Sequence, residues 1–207
     1  MKLERKTVIL RGISPILGST PNNKEIYEDH VATKARKAEL DRAKADADLI
    51  REEGEKGITI FYRDDADNLT MKDYQVKGFL KEAGRVLASQ MNLKSAQSKI
   101  DNFIFIEPTI IPFTRNGELI KAADDINQRP LRAQTAQGPR VALAYSEQVD
   151  APWELHFDIL LLENKKTAQS VALGWEQIET MFKYGQLKGL LQWRNGGYGR
   201  FEYEVKE

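Results

Sequence analysis

Apolar residues in this chain recur with two different periods. An alternation of period two marks residues 7–13 (TVILRGI), 58–62 (ITIFY), 102–107 (NFIFIE) and 154–162 (ELHFDILLL). The same alternation marks the closing segment, where Phe201, Tyr203 and Val205 oppose Glu202 and Glu204. Each segment predicts a strand, because successive strand side chains point to opposite faces. Ile58, Ile60 and Tyr62 would share one face, and Phe157, Ile159 and Leu161 would point inward. Val76, Phe79, Leu80, Ala83 and Leu87 instead follow the helical period and predict an amphipathic helix over 73–90. Leu173, Ile178, Met181, Phe182 and Gly185 predict a second helix over 173–187. Residues 109–128 are less regular, and 129–146 read as a basic, turn-rich loop.

Residues 24–53 contain neither proline nor glycine, many alanines and only sparse apolar positions (Ile26, Val31, Leu40, Leu49, Ile50). They predict a long solvated helix or helix pair, read as a charged helical insertion over 24–56 that carries ten acids and eight bases. The acid excess makes it a poor nucleic-acid binder. Strands and helices mix without the regular alternation of a parallel sheet, so the expected class is α+β with an antiparallel sheet. Two strand–helix–strand passages point to a ferredoxin-like core. The 207 residues are expected to form a single domain, 1–207, with insertions at 24–56 and 129–146.

Charge narrows the candidate chemistry. Lysines and arginines number 31 and acids 31, a formal net charge of zero, so any nucleic-acid site must be a local patch. There is no cysteine, which excludes disulfides and thiolate metal sites. The opening MKLERKTVILRG lacks the apolar core of a signal peptide, and no apolar run approaches the roughly 20 residues that span a bilayer. The expectation is a soluble cytoplasmic protein. No phosphate-binding loop, dinucleotide fingerprint, nucleophile elbow or paired-histidine metal motif occurs. Residues Asp64–Asn68 lack the glycine and glutamate that a calcium loop needs at Thr70 and Val76, and read as a turn. His30 and His156 are far apart. No cofactor, no metal and no catalytic residue is expected.

The last twenty residues are the most informative. Lys183, Lys188, Arg194 and Arg200 occur with no acid between Met181 and Arg200, interleaved with Trp193, Tyr198 and the glycines 189, 196, 197 and 199. Arginine suits phosphate, aromatic rings suit stacking on a base, and Gly197 and Gly199 permit close backbone approach. Arg129, Arg132 and Arg140 form a second acid-free cluster. Lys77, Lys81 and Arg85 fall on one line of the first helix, with Lys77 expected near its N-terminus, where backbone N–H groups also attract phosphate.

Four segments, in order, resemble the RAMP superfamily, the RNA-recognition-motif-like proteins that form CRISPR effector backbones. They are the strand running into LRGISPILGST, the Lys77-Gly78 segment TMKDYQVKGFLKEAGR, the stretch from Arg129 to Leu162 with Glu147-Gln148-Val149 before its strand, and the glycine-rich Gly189…Gly197-Tyr198-Gly199-Arg200-Phe201. Together they cover about half the chain. The resemblance implies a ferredoxin-like domain that binds single-stranded nucleic acid, RNA or DNA, as a homo-oligomer or within a CRISPR-type complex. The residues it nominates are Lys77, Arg129, Arg132, Arg140, Lys188, Arg194, Gly197, Tyr198, Gly199 and Arg200. The chain departs from the family at Leu190-Leu191, at Tyr74-Gln75 before Lys77-Gly78, and in the loop after Gly18, which lacks the aspartate with which some members cleave RNA. The implied module is non-catalytic. A rival reading is a protein–protein module of phage or mobile-element origin that mimics or inhibits a CRISPR backbone. A third is a metal-independent RNase using Tyr, Lys or Ser groups of the glycine-rich cleft.

Overall fold

The computed structural model describes residues 2–21, 58–135, 138–167 and 169–207, without the side chains of 132–135, 139, 140 and 142. The expected charged insertion over 24–56 lies outside the described residues.

Six elements make a βαββαβ unit. They are β1 (Leu3–Gly12), helix α1 (Asp73–Leu87), β7 (Ile104–Glu107), β12 (Glu154–Leu162), helix α3 (Trp175–Lys188) and β13 (Phe201–Lys206). All pairings among its strands are antiparallel, and β1 and β12 are central: β13 flanks β1 and β7 flanks β12. The spatial order is thus fourth, first, third, second, the ferredoxin-like arrangement expected from the sequence. The sheet continues past β12 through β8 (Ile110–Arg115) to β6 (Leu69–Lys72) and β5 (Tyr62–Arg63), with β9 (Glu118–Leu119) on β8. Helix α2 (Ala96–Phe103) packs beside α1.

The inward faces are the ones the alternation selects. Val8 and Leu10 of β1, Leu155, Phe157 and Ile159 of β12, and Phe201 of β13 are buried under α1 and α3. Phe182 of α3 lies 6.0 Å from Phe79 of α1, 6.5 Å from Phe201 and 5.4 Å from Tyr203. Each such side chain contributes about 1.5–3 kcal/mol on burial. Gly185 lets the helices close on this cluster, since a Cβ there would stand 2.5 Å from ring atoms of both Phe79 and Phe201. In the 58–62 segment the inward residue is Phe61, between β4 (Ile58–Ile60) and β5, while Ile58, Ile60 and Tyr62 are only half-buried.

A second sheet corrects the sequence reading of 129–146. In place of a loop, β10 (Asp125–Thr135) and β11 (Gly138–Val149) pair along their whole length as a long hairpin. Short strands β2 (Ile16–Leu17), β3 (Thr20–Pro21) and β4 attach to it. Pro130 and Pro139 suggested irregularity, but Pro130 lies on β10, an edge strand, where a residue without an N–H is tolerated, and Pro139 sits next to the hairpin tip, where β11 pairs with β10 alone.

Candidate nucleic-acid interface

The four segments singled out in the sequence meet pairwise. Gln75 Nε2 donates to Ser19 Oγ (2.9 Å), joining the first two. Gly18 N–H donates to the carbonyl of Glu147 (2.9 Å), joining the first and third. Arg129 Nη2 donates to Gln192 Oε1 (2.7 Å), joining the third and fourth. Arg194 pairs with Glu82 of α1 (2.7 Å), closing the circuit from fourth to second.

The glycine-rich loop is a folded plug between α3 and β13. Gly189 has φ +82° and Gly199 φ +70°, and a Cβ on either would run into the opposite strand of the loop, at Tyr198 O and Leu190 O. Leu190 N–H donates to Gly199 O (2.9 Å), Gly199 N–H to Pro15 O (2.7 Å) and Arg200 N–H to Ser14 Oγ (2.8 Å). Gly196 and Gly197 donate to Trp193 and Arg194 within a one-turn 3₁₀ helix. These amides are therefore engaged inside the protein and do not face a ligand. Gly199 closes the loop, whereas a Cβ on Gly197 would meet nothing within 4 Å.

Side chains carry what the loop offers. Trp193 stacks on Tyr198 with ring centres 5.1 Å apart and remains 38% exposed. The Tyr198 hydroxyl accepts from Asn127 Nδ2 (2.9 Å) at the base of the hairpin. Lys188 reaches Asn195 Oδ1 (2.8 Å) and Arg200 Nε the carbonyl of Gln186 (3.3 Å). Among the described residues both bond neutral oxygens. Arg194 is instead neutralised by Glu82, an acid invisible to a local reading of the loop.

Helix α1 begins at Asp73, so Lys77 lies beyond its first turn and not at the N-terminal amides. Gln75 Oε1 accepts the Lys72 N–H there (2.9 Å), capping the start of the helix. Lys77 Nζ donates to the Asp101 carbonyl (2.8 Å) and lies over the Phe105 ring (5.3 Å). Lys81 binds the Asp101 carboxylate (3.0 Å) and is the main reason it ionises below the usual carboxylate range. Arg85 is exposed and has no partner among the described residues. With Tyr74, Gly78 and Glu82, these cations line a groove of about 490 Å³ whose open floor at Gly78 would admit a Cβ. The Tyr74 hydroxyl, 2.7 Å from that of Tyr62, is pushed up to about 12 by burial and by this neighbour.

The hairpin sorts its arginines differently from the sequence reading. Arg129 is buried, at 5% exposure. Its Nη1 donates to Ser146 Oγ (2.9 Å), and its guanidinium lies over the Trp193 ring (5.3 Å). Burial lowers its pKa. It is a structural junction of hairpin and loop, not an exposed contact. Arg132 pairs in register with Val141, and Arg140 with Ala133, toward the hairpin tip; their side chains lie outside those described. Exposed apolar residues accompany them: Ile126, Leu131, Val141 and Leu143. The polar cage of Thr59, Ser146, Asn127 and Gln192 was missed, because single neutral residues spread over distant strands leave no local signal.

The sheet face opposite the helices is a poor competitor for an anionic ligand. Arg11 is held by Glu204 (2.8 Å) and Glu154 (3.3 Å), Arg5 by Asp158 (3.1 Å) and Glu107, and His156 lies 2.9 Å from Glu154. Among the described residues no cluster of three or more His, Asp or Glu side chains could hold a metal ion, and no helix is long and apolar enough to cross a membrane.

No family model matches the sequence, and no curated protein matches it. Its fold is shared: 68 chains of solved structures match. One is from the cryo-EM structure of the type III-B Cmr-beta bound to cognate target RNA, with TM-score 0.51 and 12% identity. The match covers all of this chain and 61% of the other, so this chain spans about three-fifths of that chain's length. The likeness is one of fold. The α+β, ferredoxin-like architecture expected from the sequence is the architecture found, and it is shared with that chain.

Proposed function

We propose that this protein is a non-catalytic, RAMP-like module that holds single-stranded nucleic acid, RNA or DNA, through its backbone with little sequence preference. The observation that carries the reading is the circuit of contacts joining the four segments. It ties the loop that carries Arg194, Arg200 and the Trp193–Tyr198 stack, with Lys188 at its start, through Arg194–Glu82 to the groove lined by Lys77, in a protein of zero net charge. Cations supply phosphate contacts, and stacking on Trp193 contributes about 1–3 kcal/mol per base. The hairpin, with Arg132 and Arg140 toward its tip, is the finger that crosses the strand or reaches a neighbouring subunit. The fold shared with a chain of the type III-B Cmr-beta structure bound to cognate target RNA supports nucleic-acid binding. Assembly as a homo-oligomer or within a CRISPR-type complex in the cytoplasm is part of the same proposal. No strand cleavage is proposed, since Ser19 and Thr20 after Gly18 bring no aspartate.

Fluorescence anisotropy with labelled single-stranded oligonucleotides tests the proposal. Binding at low salt that weakens on Arg194→Ala with Arg200→Ala is expected. Absence of binding, or binding indifferent to both changes, overturns it. One observation favours a second reading, a protein–protein module of mobile-element origin that joins or blocks a CRISPR backbone: the hairpin exposes Ile126, Leu131, Val141 and Leu143. Purification with a protein partner and without nucleic acid would select it.

A further inference from the structure

Arg129 presents an electrostatic imbalance. Its side chain is 95% withdrawn from water, since 5% remains exposed. Nη1 and Nη2 donate to Ser146 Oγ and Gln192 Oε1, both uncharged. No carboxylate among the described residues pairs with it. Its Nε–H has no partner, and close by on the same strand face the buried Asn127 Oδ1 has none either. Guanidinium is always protonated near neutral pH, and buried cations are normally paired with an anion. The ring of Trp193 covers one face and supplies only part of that compensation.

The donors left over have a shape. Nε–H and the second proton of Nη2 point the same way from the guanidinium plane, a two-pronged donor that matches two oxygens of one phosphate. Trp193 occupies a left-handed backbone position (φ +50°) beside Gly196 and Gly197, and its ring is 38% exposed. A ring in such a place is fixed by its contacts with Tyr198 and Arg129 and not by enclosure in the core.

We infer that Arg129 is a phosphate-binding residue of the nucleic-acid site, its unpartnered Nε–Nη2 edge taking one phosphate while Trp193 stays over the guanidinium face. The inference rests on the reading proposed above and deepens it: one backbone phosphate seats between the hairpin base and the glycine-rich loop. Ser146 and Gln192 then act as positioning residues that aim the fork. The half-buried cations Lys188 and Arg200 draw the strand in, and Arg129 fixes its register.

Salt titration of the full chain with a single-stranded oligonucleotide tests this. Each phosphate contact contributes about 0.7 to the slope of log K against log salt for single strands. Arg129→Gln should lower the slope by about that amount and weaken binding about tenfold. Unchanged slope and affinity in folded Arg129→Gln overturn the inference while leaving the general reading intact. No oligonucleotide binding by the unaltered chain overturns both. Should Arg129→Gln fail to fold, two other measurements decide. Inorganic phosphate should raise the melting temperature of the unaltered protein above a chloride control of equal ionic strength, and the absence of that rise overturns the site. Arg129→Lys keeps the charge but not the fork, so it should retain the slope and lose affinity; full affinity would count against a two-pronged contact.

Discussion

Arg194, on the glycine-rich loop, and Glu82, on the second turn from the end of helix α1, form a part-buried ion pair at 2.7 Å. The pair ties the loop to the helix and also neutralises the cation best placed for a ligand. Glu82→Gln should therefore free Arg194 and remove a negative charge from the groove. We expect tighter binding of single-stranded oligonucleotides, by about threefold to tenfold at low salt, converging at high salt. The stability cost should stay below about 1 kcal/mol, as for other part-exposed pairs. Anisotropy and urea denaturation measure the two effects; a loss of affinity would mean that the pair holds Arg194 in its working position.

Two glycines separate backbone need from ligand need. Gly199→Ala places a Cβ against Leu190 O at φ +70° and should destabilise the protein by about 2 kcal/mol or more. Gly78→Ala fills open space in a helix interior and should stabilise by about 0.5–1 kcal/mol. If a strand lies in the groove, Gly78→Ala should still weaken binding, so stability and affinity move in opposite directions. Thermal melts beside anisotropy report both.

Acid lability should follow Asp124. Arg115 donates to both of its oxygens (3.0 and 2.6 Å) and Asp150 N–H adds a bond (2.8 Å). The Arg115 hydrogen bond first, then the Asp150 amide, depress the pKa of this carboxylate in the folded state. A depressed folded value stabilises the protein above the unfolded pKa of about 3.9, and that stability is lost as pH falls through the folded value. Asp124→Asn should cost about 1 kcal/mol at pH 7, a difference that shrinks as pH falls past the unfolded value and through the lower folded one. Urea midpoints across pH give the profile; a difference independent of pH would assign the cost to packing.

The hairpin should govern assembly. Val141 is 64% exposed and Leu143 49% exposed on one face of β11. Val141→Ser with Leu143→Ser should leave the melting temperature of the domain within a few degrees and shift the solution mass toward monomer. Light scattering at several concentrations checks this, and an unchanged mass would take the hairpin out of the contact.

The βαββαβ core was readable because one inward face per element leaves a regular trace: Val76, Phe79, Leu80, Ala83 on α1, and Phe157, Ile159, Leu161 on β12. The hairpin was not, because Pro130, Gly138 and Pro139 break its alternation and its partners are chiefly each other. The site was readable in part. Cations and rings could be picked from the sequence, but their charge balance could not. Glu82 and Asp101 come to Arg194, Lys77 and Lys81 only through folding, and Arg129 is buried by Ser146 of β11 and by Gln192 and Trp193 of the glycine-rich loop.

The pairwise contacts among the four segments form a closed circuit, and a circuit differs from a chain in its redundancy. Cutting Ser19–Gln75, Gly18–Glu147, Arg129–Gln192 or Arg194–Glu82 alone leaves all four segments still connected through the remaining three links. A second cut still leaves the first and fourth segments joined by Gly199–Pro15 and Arg200–Ser14. Single substitutions around the loop can accumulate with modest effect, and the cost of each depends on which link has already been lost.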